Sequence, residues 1–339
     1  MLRKILVIGG AGYVGSALVP KLLGKGHYVR VLDTFWFGGW EEIFGEYLAG
    51  NPNSAELFCP IQGDIRDFDL HGLMGGMDTI IHLACISNDP SFELNPALGR
   101  SINYDAFLRV IGAAKDIGVE RFIFASSSSV YGIKGNQEVT EDLALEPLTD
   151  YSKYKAFCEM ELRVISIDKL PWLIIRPATV CGYAPRLRLD LTVNILTMAA
   201  LTKGKITVFG GDQKRPNIHI DDITDLYVQL IEESDEEILG QTFNAGGNNY
   251  SVMDIARTVR IVLRECKDIN VEIEVVPTND LRSYHVSSEK IFREIGWRAR
   301  RTVVDAIWGL ARAFDSGKIP NPDDPKYRNI KTMQLIKGG

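Results

Sequence analysis

"KILVIGGAGYVGS", residues 4–16, decides the fold. A short apolar run ends in Gly9-x-x-Gly12-x-x-Gly15, and an amphipathic stretch follows from Tyr13 to about Gly24. A strand that turns through glycines into a helix leaves free N–H groups and the positive end of the helix dipole at the turn, where a pyrophosphate binds. Gly9, Gly12, Tyr13, Val14 and Gly15 are therefore candidate cofactor contacts. The same glycines would serve a tight turn with no ligand, so the surrounding sequence has to decide.

It does so by repetition. Short apolar runs at 28–33, 57–64, 78–84, 121–127 and 172–178 alternate with helical patterns at 66–75, 97–117 and 151–168. Continuous apolar strands separated by helices predict a parallel sheet covered on both faces, that is, a doubly wound α/β fold. The second strand ends at Asp33, about 20 residues past the loop, where a carboxylate accepts hydrogen bonds from ribose hydroxyls and repels a 2′-phosphate. This predicts NAD(H) over NADP(H). Asp64 with Ile65 in "GDIRD", and Leu83, Ala84 and Ser87 in "HLACIS", fall at the same strand edge, where open α/β sheets bind ligands.

After about residue 178 the texture changes to shorter strands among Gly, Pro and Arg, with helical patterns at 190–202, 221–234, 251–266 and 302–315. The expected organisation is a dinucleotide-binding domain over 1–178, joined by about 217–242. A smaller substrate-binding lobe spans 179–216 and 243–317, and an irregular tail runs over 318–339.

Composition narrows the partners. The chain has 339 residues and a net charge of −6, with no clustered basic face to neutralise phosphates, so no nucleic-acid partner is expected. No stretch approaches the ~20 apolar residues of a membrane span. The five cysteines are scattered without metal-ligand spacing and read as reduced thiols of a cytoplasmic protein, with no metal.

"TDYSKYKAFCE" (149–159) places Tyr151 and Lys155 four residues apart on one helical face. An ammonium near a phenol lowers the phenol pKa from about 10 and makes the tyrosine an acid or base near neutrality. Such a spacing also arises by chance, as an exposed lysine beside a packed tyrosine.

Taken together, these segments resemble the extended short-chain dehydrogenase/reductase family, in its branch of NAD-dependent nucleotide-sugar epimerases and dehydratases. The resemblance runs from "GGAGYVG" and "GDIRD" through "SSSSVYG", "YSKYKAFCE" and "RPATVCG" to "KRPNIHIDD" and "SYHVSSEKIFREIGW". It implies a Rossmann-type domain, a homodimer through the helices at 97–117 and 151–168, and a nucleoside-diphosphate sugar as substrate. It also implies roles. Tyr151 is the acid/base, Lys155 holds the nicotinamide ribose and depresses the Tyr151 pKa, and Ser127 bonds the reacting oxygen. Asn103 supports the lysine. Arg215 and Arg282 contact the diphosphate. Ser87, Ser128, Thr179, where many relatives carry Asn, and Asn194 complete the expected pocket.

The two residues after Ser127 are Ser128 and Ser129, where 4,6-dehydratases carry a glutamate. A hydroxyl of ordinary pKa cannot act as the acid for that elimination. Ser129 is likewise not the cysteine of the 3,5-epimerising branch. What remains is 4-epimerisation through a transient 4-keto sugar, net oxidation or reduction of a sugar or another carbonyl compound, or a silent NAD-binding protein. The residues do not choose between the first two.

Overall fold

The computed structural model describes residues 2–135, 137–278 and 285–336. Seven strands form one sheet: β1 (Lys4–Ile8), β2 (Tyr28–Asp33), β3 (Phe58–Gln62), β4 (Thr79–His82), β5 (Arg121–Ala125), β6 (Trp172–Pro177) and β7 (Thr242–Ala245). Every pairing is parallel and the order is β3-β2-β1-β4-β5-β6-β7. The chain reverses direction of travel across the sheet between β1 and β4, which opens a crevice at their C-terminal ends.

Alternation within the strands sorts the core. Ile5, Val7, Val29, Val31, Ile123 and Leu173 face one side, where they pack with α1 (Tyr13–Gly24) and α4 (Ile220–Glu232). Leu6, Ile8, Leu32, Phe122, Phe124 and Ile174 face the other, against α2 (Ala106–Ile117) and α3 (Asp150–Val164). Strands buried on both faces read as unbroken apolar runs, and this is why the sheet was visible in the sequence.

A second layer of structure sits over the strand ends. Strands Thr179–Cys181, Lys214–His219 and Asn248–Ser251 form a small sheet, with helices Thr192–Lys203, Val252–Lys267 and Val303–Asp315 sharing their own apolar cluster. Among the described residues, no helix is long and apolar enough to cross a membrane.

Four elements differ from expectation. The strand Thr242–Ala245, assigned above to the smaller lobe from residue 243 on, pairs with β6 and completes the large sheet. All four of its residues are buried, so they need cover on both faces. A helix at Trp40–Gly50 was not anticipated; it follows two glycines and buries only Ile43 and Phe44. The helix expected over 97–117 is broken by a π-helical turn at Ser101–Asp105, and such turns often mark functional positions. The tail is not irregular throughout. It ends in a helix, Asn329–Ile336, whose Met333 joins the core beneath α2 and α3.

Gly15 shows how tightly the first turn is packed. A Cβ there would overlap the Gly10 carbonyl, which is backbone and cannot swing aside. Gly15→Ala should therefore cost about 1–3 kcal/mol through overpacking. It should also lower dinucleotide affinity; thermal unfolding and NAD titration read both. A variant that melts and binds like the parent would show that the loop has slack.

Candidate active site

The crevice holds a cavity of about 530 Å³, within the range of small-molecule sites. Its walls come from the residues that immediately follow β1, β2, β3, β4, β5 and β6, and from the smaller lobe.

The cofactor end is built first. Gly9 has φ +80° and lies so close to Ala84 that a side chain would strike the backbone after β4. Gly12 caps α1 without any side-chain bond, so the first-turn N–H groups of the helix remain open to a ligand. Asp33 lines the cavity and accepts from the N–H of Ala11 (2.9 Å) and of Phe35 (3.0 Å). Burial pushes its carboxyl above the usual range, and those two N–H groups offset part of the rise. Val14, Asp64, Ile65, Leu83 and Ala84 also line the cavity, with Asp64 forked onto Arg66 at 2.7 Å. Trp36 and Phe37 form an aromatic wall. Tyr13 lines it as well, but its hydroxyl turns away to the Gly182 carbonyl (2.5 Å). An uncapped helix start, a carboxylate at the end of β2 and an unpartnered buried Arg186 Nε fit a dinucleotide.

The reacting end lies where β5 meets α3. Ser127, Ser128, Tyr151 and Lys155 share the cavity wall. The Ser127 Oγ accepts from the Ser129 N–H (3.1 Å) and the Ser129 hydroxyl (2.9 Å), which fixes its rotamer at the head of a short 3-10 turn. Lys155 is buried and donates to the Ala125 carbonyl at 2.6 Å, with its ammonium 4.8 Å from the Phe124 ring centre. The expected depression of Tyr151 by Lys155 is not what the geometry produces. Burial pushes the Tyr151 phenol up, and the neighbouring Ser127 hydroxyl and the Arg188 guanidinium work against that rise. The ammonium is committed to a carbonyl at the end of β5 instead.

Two further expectations change. Asn103 sits in the π-helical turn, but both ends of its amide are used by the Ile86 backbone, at 2.8 and 3.0 Å. It braces the loop after β4, while its own carbonyl accepts from the Cys158 thiol on α3. Asn194 is fully buried outside the cavity wall, bonded to Gly182, Tyr13 and the Arg188 carbonyl. It shapes the rim from behind. Ser87, Thr179 and Arg215 do line the cavity, and Arg282 lies outside the described residues.

The sequence reading missed several walls. Arg188 also lines the cavity, forked onto Asp190 (2.9 and 3.0 Å) and donating to Ser87 Oγ (3.1 Å). Asn329 and Met333 come from the tail and carry no sequence signal at all.

A glycine-turn dinucleotide cradle facing a Ser/Tyr/Lys set defines an enzyme of hydride chemistry at a secondary alcohol. The sequence profile of the NAD dependent epimerase/dehydratase family matches residues 5–246, and the chain belongs to that family; NAD is its cofactor. The UDP-glucose 4-epimerase of Lactobacillus helveticus is 27% identical over 332 residues, covering 91% of this chain and 96% of the relative. The UDP-glucose 4-epimerase of Corynebacterium glutamicum is 29% identical over 333 residues, 92% of this chain and 96% of its own. The crystal structure of UDP-glucuronic acid 4-epimerase from Bacillus cereus, in complex with UDP-glucuronic acid and NAD, superposes with a TM-score of 0.80 at 26% identity, covering 92% of this chain and 99% of that one.

Proposed function

We propose that this protein is a NAD-dependent 4-epimerase of a UDP-sugar. The observation that carries the reading is the position of Ser127, Tyr151 and Lys155 on one wall of the cavity that the glycine turn opens into, with hydroxyls at Ser128 and Ser129. NAD supplies, when bound, the hydride acceptor and donor for the sugar's C4. Tyr151 takes the C4 hydroxyl proton and later returns it. Ser127, its rotamer fixed by Ser129, bonds the same oxygen and passes the proton along. Lys155, at the floor of the site, holds the nicotinamide ribose. Arg215, on the far wall, meets the sugar's diphosphate with a planar fork of donors. The identities of the curated relatives, both UDP-glucose 4-epimerases, and the UDP-sugar held by the Bacillus cereus neighbour support the nucleotide and the position of reaction.

We also infer a homodimer working in the cytoplasm. Phe157, Met160 and Val164 stand 43%, 58% and 80% exposed along one stripe of α3, an apolar patch that a second copy would cover. The five cysteines are free thiols.

The test is conversion without added cofactor. Purified protein incubated with UDP-glucose, UDP-galactose or UDP-glucuronic acid should interconvert one C4 epimer pair with no net NADH. Stoichiometric NADH would make it a dehydrogenase and overturn the epimerase reading.

A further inference from the structure

Arg186 has no role in the chemistry above, and its surroundings call for one. It leaves the smaller lobe on the segment after Thr179–Cys181 and enters the cofactor end of the cavity. Its backbone N–H donates to Ser16 Oγ (3.2 Å) on α1, which sets the residue against the glycine turn. The side chain is only 5% exposed. Its guanidinium carbon lies 4.0 Å from the Phe37 ring centre, and Nη2 donates to the Asn329 amide oxygen (2.5 Å). Nε has no partner among the described residues.

Among the described residues, no carboxylate forms an ion pair with this cation. Asp190, the acid nearest in sequence, is forked onto Arg188 and acts on Arg186 only through space. Asp33 spends its oxygens on the N–H groups of Ala11 and Phe35 and reaches Arg186 only through space. Burial first, then repulsion from Arg188, pull the guanidinium down to about 9. A buried charge held by one neutral amide is costly, and such charges are normally paired. An anion bound in the cavity would supply that partner.

We propose that Arg186 anchors the diphosphate of the bound dinucleotide from the substrate-lobe side, and that Asn329 of the C-terminal helix holds it in place. The proposal rests on NAD as the family's cofactor but not on which sugar reacts. The diphosphate of a nucleotide-sugar offers the same chemistry. Contacts to Ser16 and Phe37 place Arg186 at the glycine-turn end. Asn329 ties the guanidinium to both halves of the molecule, because its Nδ2 donates to Ser87 Oγ (2.8 Å) and its N–H to Asp190 Oδ2 (3.2 Å). The same side chain that grips the cofactor is thus tied to both lobes, which suits an enzyme that must keep NADH between its two half-reactions.

Arg186→Gln separates this role from a structural one. The apo variant should melt no lower than the parent, because it loses a buried unpaired charge. Its affinity for NAD and for ADP-ribose should fall roughly 10- to 100-fold, as loss of charge-assisted hydrogen bonds predicts. Adenosine, which lacks the diphosphate, should bind as before, and so should UDP. Arg186→Lys should recover part of the loss. Asn329→Ala, with the cation retained but untethered, should weaken NAD binding several-fold. Unchanged NAD and ADP-ribose affinity in both variants would overturn the proposal. Weakened UDP binding with intact ADP-ribose binding would also overturn it and give the arginine to the substrate. Dinucleotide binding is read here and sugar turnover above, so the two readings fail independently.

Discussion

Tyr151→Phe should lower kcat by about 10²- to 10⁴-fold, the range that a positioned acid/base contributes, while NAD content and fold remain those of the parent. Only the hydroxyl is lost. The ring lies against the apolar core beneath α2 and α3, and Ser127 retains its bonds from Ser129. KM for the sugar should move little, because the missing interaction is made in proton transfer and not in ground-state binding. The pH profile adds a second signature. Burial raises the Tyr151 phenol above its ordinary value. A raised pKa means that little of the base form exists near neutrality. Turnover should therefore climb as pH rises from neutral toward alkaline conditions, and that limb should vanish in the phenylalanine variant. Near-parent activity after this substitution would remove Tyr151 from the mechanism.

Much of this site was legible because its physics is local. The turn from β1 into α1 needs glycines at fixed offsets. Tyr151 and Lys155 need only helical spacing. The end of β2 fixes Asp33 by counting. What escaped is what depends on folding distant segments together. Asn103 carries a side chain suited to a catalytic relay, yet the loop after β4 passes close enough to take both ends of its amide. Asn194, expected in the pocket, is instead buried behind it and bonded to Gly182, Tyr13 and Arg188. Asn329 lies 143 residues from Arg186 and 242 from Ser87 along the chain, and no local pattern announces either contact. The strand at 242–245 falls in the range assigned to the smaller lobe, and four residues that mix polar Thr242 and Asn244 with Phe243 and Ala245 do not say which sheet they extend. Strand existence follows from pattern, whereas membership of a sheet follows from burial that only the folded chain defines.

Removing the Glu159 carboxylate should destabilise the fold more than Gly15→Ala does. Tyr151, Lys155 and Glu159 recur at four-residue intervals on α3, so the same face that carries the reacting groups carries this acid one turn deeper. Glu159 is fully buried and Arg176 of β6 nearly so. The guanidinium grips the carboxylate twice, at 2.9 Å through Nε and 2.5 Å through Nη2. Ser126 Oγ donates to the same carboxylate at 2.5 Å, and Arg176 Nη1 donates to the Tyr131 hydroxyl at 2.6 Å. Tyr131 in turn donates to Asn244 on β7 at 2.7 Å. One ion pair thus joins α3, β6, β7 and the segment bearing Ser127. Glu159→Ala leaves a buried guanidinium uncompensated and should cost about 3–5 kcal/mol. Replacing both partners by apolar residues of similar volume, Glu159→Leu with Arg176→Met, should recover much of that loss, since desolvation largely cancels the attraction in such pairs. Activity should not recover with it. The double variant still frees Ser126, one residue before Ser127, and kcat should stay low while stability returns. Thermal unfolding of the two single variants and the double one, with kcat measured on each, reads both results. Single variants within about 1 kcal/mol of the parent would mean that the pair is merely tolerated. A double variant with restored kcat would mean that the serine segment does not depend on it.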